Sequence, residues 1–309
     1  MIINKRILVT GGAGFVGHHL VRKLSDEQSN KIYIIDNLSF GRKELIPKKK
    51  NVNFYKADVC SKEILKIITK IKPHIVYHLA AIHYLPYCNE HPLESFMVNV
   101  MGTRNLLNIL QGTKPEFLFF ASTAAVYAPD KGPHNEKTSE TTPIDVYGAS
   151  KLVGEDLCYL FYKKINVVTV IGRQFNIYGP GETNPHFIPS LMEQINKRKK
   201  IIKVGNIYPK RDYIHVVDVV DYFLKLYTAI DSGFHVFNIG TGKEYSVKET
   251  LNILKSFVKH KITIVQATGL KRKVDRPHLL ADIRKISQRV KKASHIDFRK
   301  GLAGLYKNK

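Results

Sequence analysis

Short runs of β-branched and aromatic residues recur along the first three-quarters of the chain, at 5–10, 32–36, 52–58, 74–80, 116–122, 166–173 and 235–240. Each is of strand length and almost wholly apolar. Between them, 16–24, 61–71, 94–111 and 147–164 carry the spacing of amphipathic helices. Near-continuous apolar strands that alternate with helices predict a parallel sheet covered on both faces, a doubly wound α/β fold. Beyond about residue 175 the rhythm loosens, and GPGETNPHFIPS, rich in Gly, Pro and Asn, opens a stretch where helices and loops dominate. The expected organisation is a large unit over 1–175, rejoined by 213–240, and a smaller α/β region built from 176–212 and 241–309. No internal repeat or low-complexity tract interrupts it.

Composition narrows the function classes. Of 309 residues, 44% are hydrophobic and 24% charged, ordinary values for a globular protein. No apolar run reaches the length of a membrane span, and the start, MIINKRILVTGG, shows no secretory signal. Three cysteines (Cys60, Cys88, Cys158) without CxxC spacing argue against a disulfide framework. A cytoplasmic chain with no membrane partner is expected. The formal net charge of +23 raises the question of a polyanionic partner. Its lysines and arginines are scattered in short clusters (48–50, 197–200, 271–273), not interleaved with aromatic residues, so no nucleic-acid partner is expected.

Two motifs carry chemistry. TGGAGFVG places Gly11, Gly14 and Gly17 directly after the first predicted strand and at the start of a helix. There, small residues let backbone approach a pyrophosphate at the helix N-terminus, the arrangement of a Rossmann-type dinucleotide site. Asp36 closes the second strand, where an acid meets the adenosine ribose and repels a 2′-phosphate. NAD is therefore expected over NADP, with Arg42 as an opposing feature. The second motif, YGASK, sets Tyr147 and Lys151 one helical turn apart. An incidental surface pair is one reading. A proton-transfer device, the ammonium lowering the pKa of the phenol, is the other.

The GxxGxxG spacing resembles the opening of the extended short-chain dehydrogenase/reductase superfamily, in its nucleotide-sugar epimerase/dehydratase branch. The likeness runs along nearly the whole chain. IDNLSFGRKE, ADV, VYHLAA and MVNVMGTRNLL are similar to successive cofactor segments of that branch. They imply NAD contacts from Phe15, Val16, Asn37, Asp58, Val59, Leu79, Ala80, Ala81, His83 and Asn99 as well as from the glycines and Asp36. In that branch YGASK supplies the catalytic base and its partner, so Tyr147 and Lys151 are the implied base and tuner, both also touching cofactor. ASTAAVYAP supplies Thr123 as the group that holds a sugar hydroxyl, although Ala128 stands where glycine is usual.

The resemblance also locates the substrate. GRQFNIYGPG implies Phe175 against the nicotinamide and Asn176 toward the substrate diphosphate. KRDYIHVVDVVD and KRKVDRPHLLADIRK imply Arg211, Arg272 and Asp275 as the diphosphate clamp and nucleoside contact, with Arg276 the rival for the second arginine. Relatives that eliminate water carry acids just after the threonine; here Ala124 and Ala125 follow it. That favours a closed cycle of oxidation, turning and reduction, a UDP-sugar 4-epimerase acting on a hexose or hexuronic acid. A dehydratase or decarboxylase is the alternative, and a non-catalytic nucleic-acid-binding member the alternative of another class. Helices 94–111 and 147–164 are expected to build a homodimer through positions such as Leu157, Leu160 and Phe161. The loop 81–92 is unusually aromatic, with His83 and Tyr84 either touching cofactor or hexose or packing as polar tips. No His, Cys, Asp or Glu cluster has metal-ligand spacing, so no metal is expected.

Overall fold

The computed structural model describes residues 2–130, 132–258, 261–270, 276–291 and 295–307. Twelve strands appear: β1 (Arg6–Thr10), β2 (Lys31–Asp36), β3 (Val52–Lys56), β4 (Ile75–His78), β5 (Phe117–Thr123), β6 (Val168–Gln174), β7 (Asn176–Tyr178), β8 (Ile201–Val204), β9 (Lys210–His215), β10 (Phe234–Ile239), β11 (Glu244–Ser246) and β12 (Thr263–Gln266). The helices are α1 (Phe15–Leu24), α2 (Glu63–Ile71), α3 (Leu85–Glu90), α4 (Pro92–Phe96), α5 (Thr103–Thr113), α6 (Val146–Ile165), α7 (Phe187–Asn196), α8 (Val216–Ala229), α9 (Val247–Lys255), α10 (Arg284–Arg289) and α11 (Phe298–Lys307). Among the described residues no helix is long and apolar enough to cross a membrane.

Seven strands form one sheet in the order β10-β6-β5-β4-β1-β2-β3, every pair parallel. This is the expected doubly wound Rossmann-type α/β fold. Its strands are apolar on both sides because both sides are covered. Ile7 and Val9 of β1 join Leu20, Val21 and Leu24 of α1 and Phe223 and Leu226 of α8 in one core. Leu8, between them in sequence, points the other way, into a second core with Ile64 and Ile68 of α2, Leu106 and Leu110 of α5 and Phe161 of α6. Strand order reverses between β1 and β4, and crevices for ligands open at the carboxyl ends of strands at such a switch point.

The rest of the chain is more strand-bearing than its pattern predicts. β7, β9 and β11 form a three-stranded sheet and β8 pairs with β12. These strands have three to six residues, too short for alternation to register in sequence. With α7, α9 and α11 they enclose a separate core around Tyr178, Leu191, Tyr213 and Phe298.

The helix expected over 94–111 is present but not uniformly α-helical. A π-helical segment, Met97–Gly102, separates α4 from α5. Such widened turns often occur at functional sites, and this one carries Asn99.

Candidate active site

The backbone after β1 can turn as it does only with glycine. Gly11 sits at φ +70, and a Cβ there would lie 2.7 Å from the Ala80 nitrogen, so β1 and the end of β4 approach closely. Gly14 caps α1 without a side-chain hydrogen bond, and the first turn has no acidic residue. The leading N–H groups of α1 are thus arranged for an anion. These features fit the pyrophosphate of a dinucleotide.

A cleft of about 790 Å³ opens here, toward the upper end of the range for small-molecule sites. Gly11, Gly14, Phe15, Val16 and Gly17 border it on the glycine-loop side. Asp36, Asn37, Asp58 and Val59 line the part beyond β2, and Leu79, Ala80 and Ala81 the floor after β4. Asp36 holds the loop as well as facing the cleft: its carboxylate accepts from the Ala13 nitrogen at 2.9 Å and the Leu38 nitrogen at 2.8 Å. Burial raises its pKa and those bonds offset part of the rise. Asn37 Nδ2 donates to Asp58 Oδ2 at 2.7 Å, joining the two polar groups.

Thr123, Tyr147, Lys151 and Phe175 all border the same cleft. Asp145 caps α6 by accepting from the Gly148 nitrogen at 2.7 Å, which fixes the first turn that carries Tyr147. The Tyr147 phenol hydrogen-bonds Thr123. Burial pushes the phenol above its usual value, the neighbouring Cys88 adds to the rise, and the Thr123 bond lowers it in part. Lys151 is 1% exposed; its ammonium lies 4.0 Å over the Phe120 ring, and burial lowers its pKa to about 8. Lys151 is dry and Tyr147 half-buried at the cleft, and each is driven toward its neutral form.

Asn99 is fully buried, directly behind the cleft wall, and bonds Ile82, which borders the cleft. Its Oδ1 accepts from the Ile82 nitrogen at 2.8 Å, while Nδ2 donates to the Ile82 oxygen and to Ser150 Oγ, both at 2.9 Å. It ties the loop after β4 to the helix bearing Tyr147 and Lys151, a positioning role. Sequence reasoning also missed the brace behind this helix: Arg173 of β6 grips Glu155, with Nε at 3.0 Å from Oε1 and Nη2 at 2.7 Å from Oε2.

At the sugar end, Asn176 and Arg211 line the cleft, whereas Arg272 and Asp275 lie outside the described residues. Arg276, the rival, also borders it. Its guanidinium bonds the carbonyls of Tyr127 and Ala125, and Arg211 Nη1 donates to the Arg276 oxygen at 2.7 Å. Gln174 Nε2 and Asn176 Oδ1 are buried without a hydrogen-bond partner among the described residues. Both side chains border the cleft, so polar ligand atoms suit them.

The fold also assembles a group that spacing hid. His83, Glu182 and His186 come together at the cleft, one ligand atom of each within 4.8 Å of the others. Burial lowers His83 to about 4 and raises Glu182 to about 7. No sequence signal marks it, because His83 belongs to a different loop from the other two.

Comparison with known proteins agrees with this architecture. Residues 7–240 match the model of the NAD dependent epimerase/dehydratase family. The chain is 30% identical over 263 residues to dTDP-D-glucose 4,6-dehydratase of Mus musculus, covering 81% of this chain and 73% of that one. It is 31% identical over 278 residues to UDP-glucose 4-epimerase of Yersinia enterocolitica, covering 81% of each. The crystal structure of UDP-glucuronic acid 4-epimerase from Bacillus cereus, in complex with UDP-glucuronic acid and NAD, superimposes with a TM-score of 0.89 at 25% identity, over 97% of this chain and 98% of that one. With the family model spanning most of the chain and the cleft shaped for its cofactor, this protein belongs to the NAD-dependent epimerase/dehydratase family of nucleotide-sugar enzymes.

Proposed function

We propose that the protein inverts C4 of a UDP-hexose or UDP-hexuronic acid through a transient 4-keto sugar. Thr123 holds the C4 hydroxyl, and Tyr147 takes its proton as hydride leaves. Lys151, beneath the phenol, contacts the cofactor ribose and steadies the charge that develops. Bound NAD supplies the hydride acceptor and the cationic ring that favours a phenolate beside it. The 4-keto sugar then turns, and Tyr147 returns the proton as C4 is reduced on its other face. Residues 1–175 with 213–240 carry NAD in this reading, and 176–212 with 241–309 the sugar nucleotide, Arg211 and Arg276 facing its diphosphate.

One observation carries the choice of epimerisation: Ala124 and Ala125, which follow Thr123 along the cleft wall, offer no acid for elimination. Elimination of water is the second reading, favoured by the dehydratase among the relatives and by the Glu182 carboxyl at the cleft. Incubation with a panel of UDP-sugars and NMR of the products separates the two.

The homodimer is proposed on the exposed apolar face around α4 and α6. Leu93 (76% exposed), Met97, Met101, Val153 and Leu160 (62%) lie open there, a patch of the kind that marks an interface. Phe161, named with Leu160 in the sequence reading, turns inward instead.

A further inference from the structure

We propose that His83, Glu182 and His186 bind a divalent first-row transition cation, zinc being the type ion, at the sugar end of the cleft. They are the one group of three potential ligands brought together among the described residues, with ligand atoms within 4.8 Å of one another. A tetrahedral ion about 2.1 Å from each ligand sets such atoms about 3.4 Å apart. Side-chain rotation of about an ångström closes the difference.

The donor set is selective. Two imidazoles and one carboxylate hold catalytic zinc while leaving a position open, and the same set suits ferrous iron. Magnesium and calcium prefer oxygen ligands alone.

The surroundings restrain the ligands as outer partners of metal sites do. The His83 ring hydrogen-bonds the Ala81 backbone, while its Nε2 accepts from Asn184 Nδ2 at 3.3 Å, a donor that an ion at Nε2 displaces. Glu182 Oε1 accepts from the Thr183 and Asn184 nitrogens at 3.1 and 3.3 Å. The His186 ring meets the edge of Tyr84, centroids 5.5 Å apart.

Two features oppose a cation: the Lys151 charge, which reaches His83, and the N-terminus of α7, which His186 caps. The Glu182 carboxylate offsets both, so it is the ligand the site can least lose. The open position faces the cleft shared with Tyr147, where it takes a sugar oxygen. That last assignment rests on the proposed function; the metal site does not. With a cation in place, Glu182 is a ligand and is not available as an acid for elimination.

Titration of the NAD-loaded full chain with Co²⁺, without nucleotide sugar, tests the site through the visible bands of a low-coordinate Co²⁺ ion and through competition by Zn²⁺. One ion per chain is expected, displaced by Zn²⁺ and not by Mg²⁺. Glu182→Gln, His83→Ala and His186→Ala are each expected to weaken binding at least about 10-fold, Glu182→Gln the most, with NAD still bound in the Glu182→Gln and His186→Ala chains. His91→Gln, on the exposed surface of the loop, should leave it unchanged. Absence of the bands, or binding that survives the triple substitution, overturns the proposal. Epimerisation by chelator-treated enzyme is assayed separately, so loss of either result leaves the other standing.

Discussion

The Lys151 ammonium rests 4.0 Å above the Phe120 ring, inside the wall of the cleft. That contact recovers part of the hydration the ammonium loses, yet burial still lowers its pKa from 10.5 to about 8. Between those values the unfolded chain holds a proton that the folded one has released. Stability should therefore rise with pH from about 8 toward 10.5, and the burial penalty, on the order of 3 kcal/mol, is fully present below that window. Lys151→Met should unfold at higher denaturant than the native chain near pH 7, and its advantage should shrink by about pH 10. An advantage unchanged across that range would contradict the lowered pKa. The same substitution should weaken NAD binding.

The buried ion pair behind the catalytic helix gives a second prediction. The Arg173 and Glu155 side chains are 7% and 6% exposed, and Ser122 Oγ donates to Glu155 at 2.5 Å. Arg173→Met strands a carboxylate in the core and should cost roughly 3–5 kcal/mol. Adding Glu155→Gln should restore part of that loss. Urea denaturation of the single and double variants measures both.

Cofactor choice depends on Asp36. Because its oxygens also hold the Ala13 and Leu38 nitrogens, Asp36→Ala should loosen the glycine loop along with the ribose contact. NAD affinity should fall at least about 10-fold, or about 1.4 kcal/mol. Fluorescence titration of the native chain should show NAD bound more tightly than NADP; the reverse order would remove the assigned role.

The apolar face around α4 and α6 should bring two chains together. Sedimentation of the native protein at micromolar concentration should give twice the chain mass of 35.2 kDa, and Leu160→Glu should shift it toward the monomer. A native monomer would leave Leu93 and Leu160 without the proposed cover.

How much of this was legible in the sequence follows from range. The seven parallel strands, the glycine turn and the Tyr147–Lys151 spacing are local patterns, and each appears in the structure where the pattern predicts it. The π-helical segment of the long helix at Met97–Gly102 has no compositional mark, since its residues suit an α-helix equally well. The bonds of Asn99 to Ile82 and Ser150 could not be read from the chain, because those partners are distant in sequence. The His83, Glu182 and His186 group was invisible for the same reason. The raised phenol and the lowered ammonium follow from burial, which spacing cannot express. The short strands β7 to β9, β11 and β12 are held by tertiary pairing and carry too few residues for a periodic signal.

The central claim is that Tyr147 serves a closed oxidation and reduction at C4. It is tested most directly by incubating the enzyme with UDP-sugars in deuterated water and following products by NMR. The account predicts a C4 epimer with no solvent deuterium at C4. It also predicts that Tyr147→Phe keeps NAD and fold while turnover falls by a factor on the order of 10² to 10⁴, and that Thr123→Ala loses less. A dehydrated keto-sugar product, or unchanged turnover in Tyr147→Phe, would contradict it.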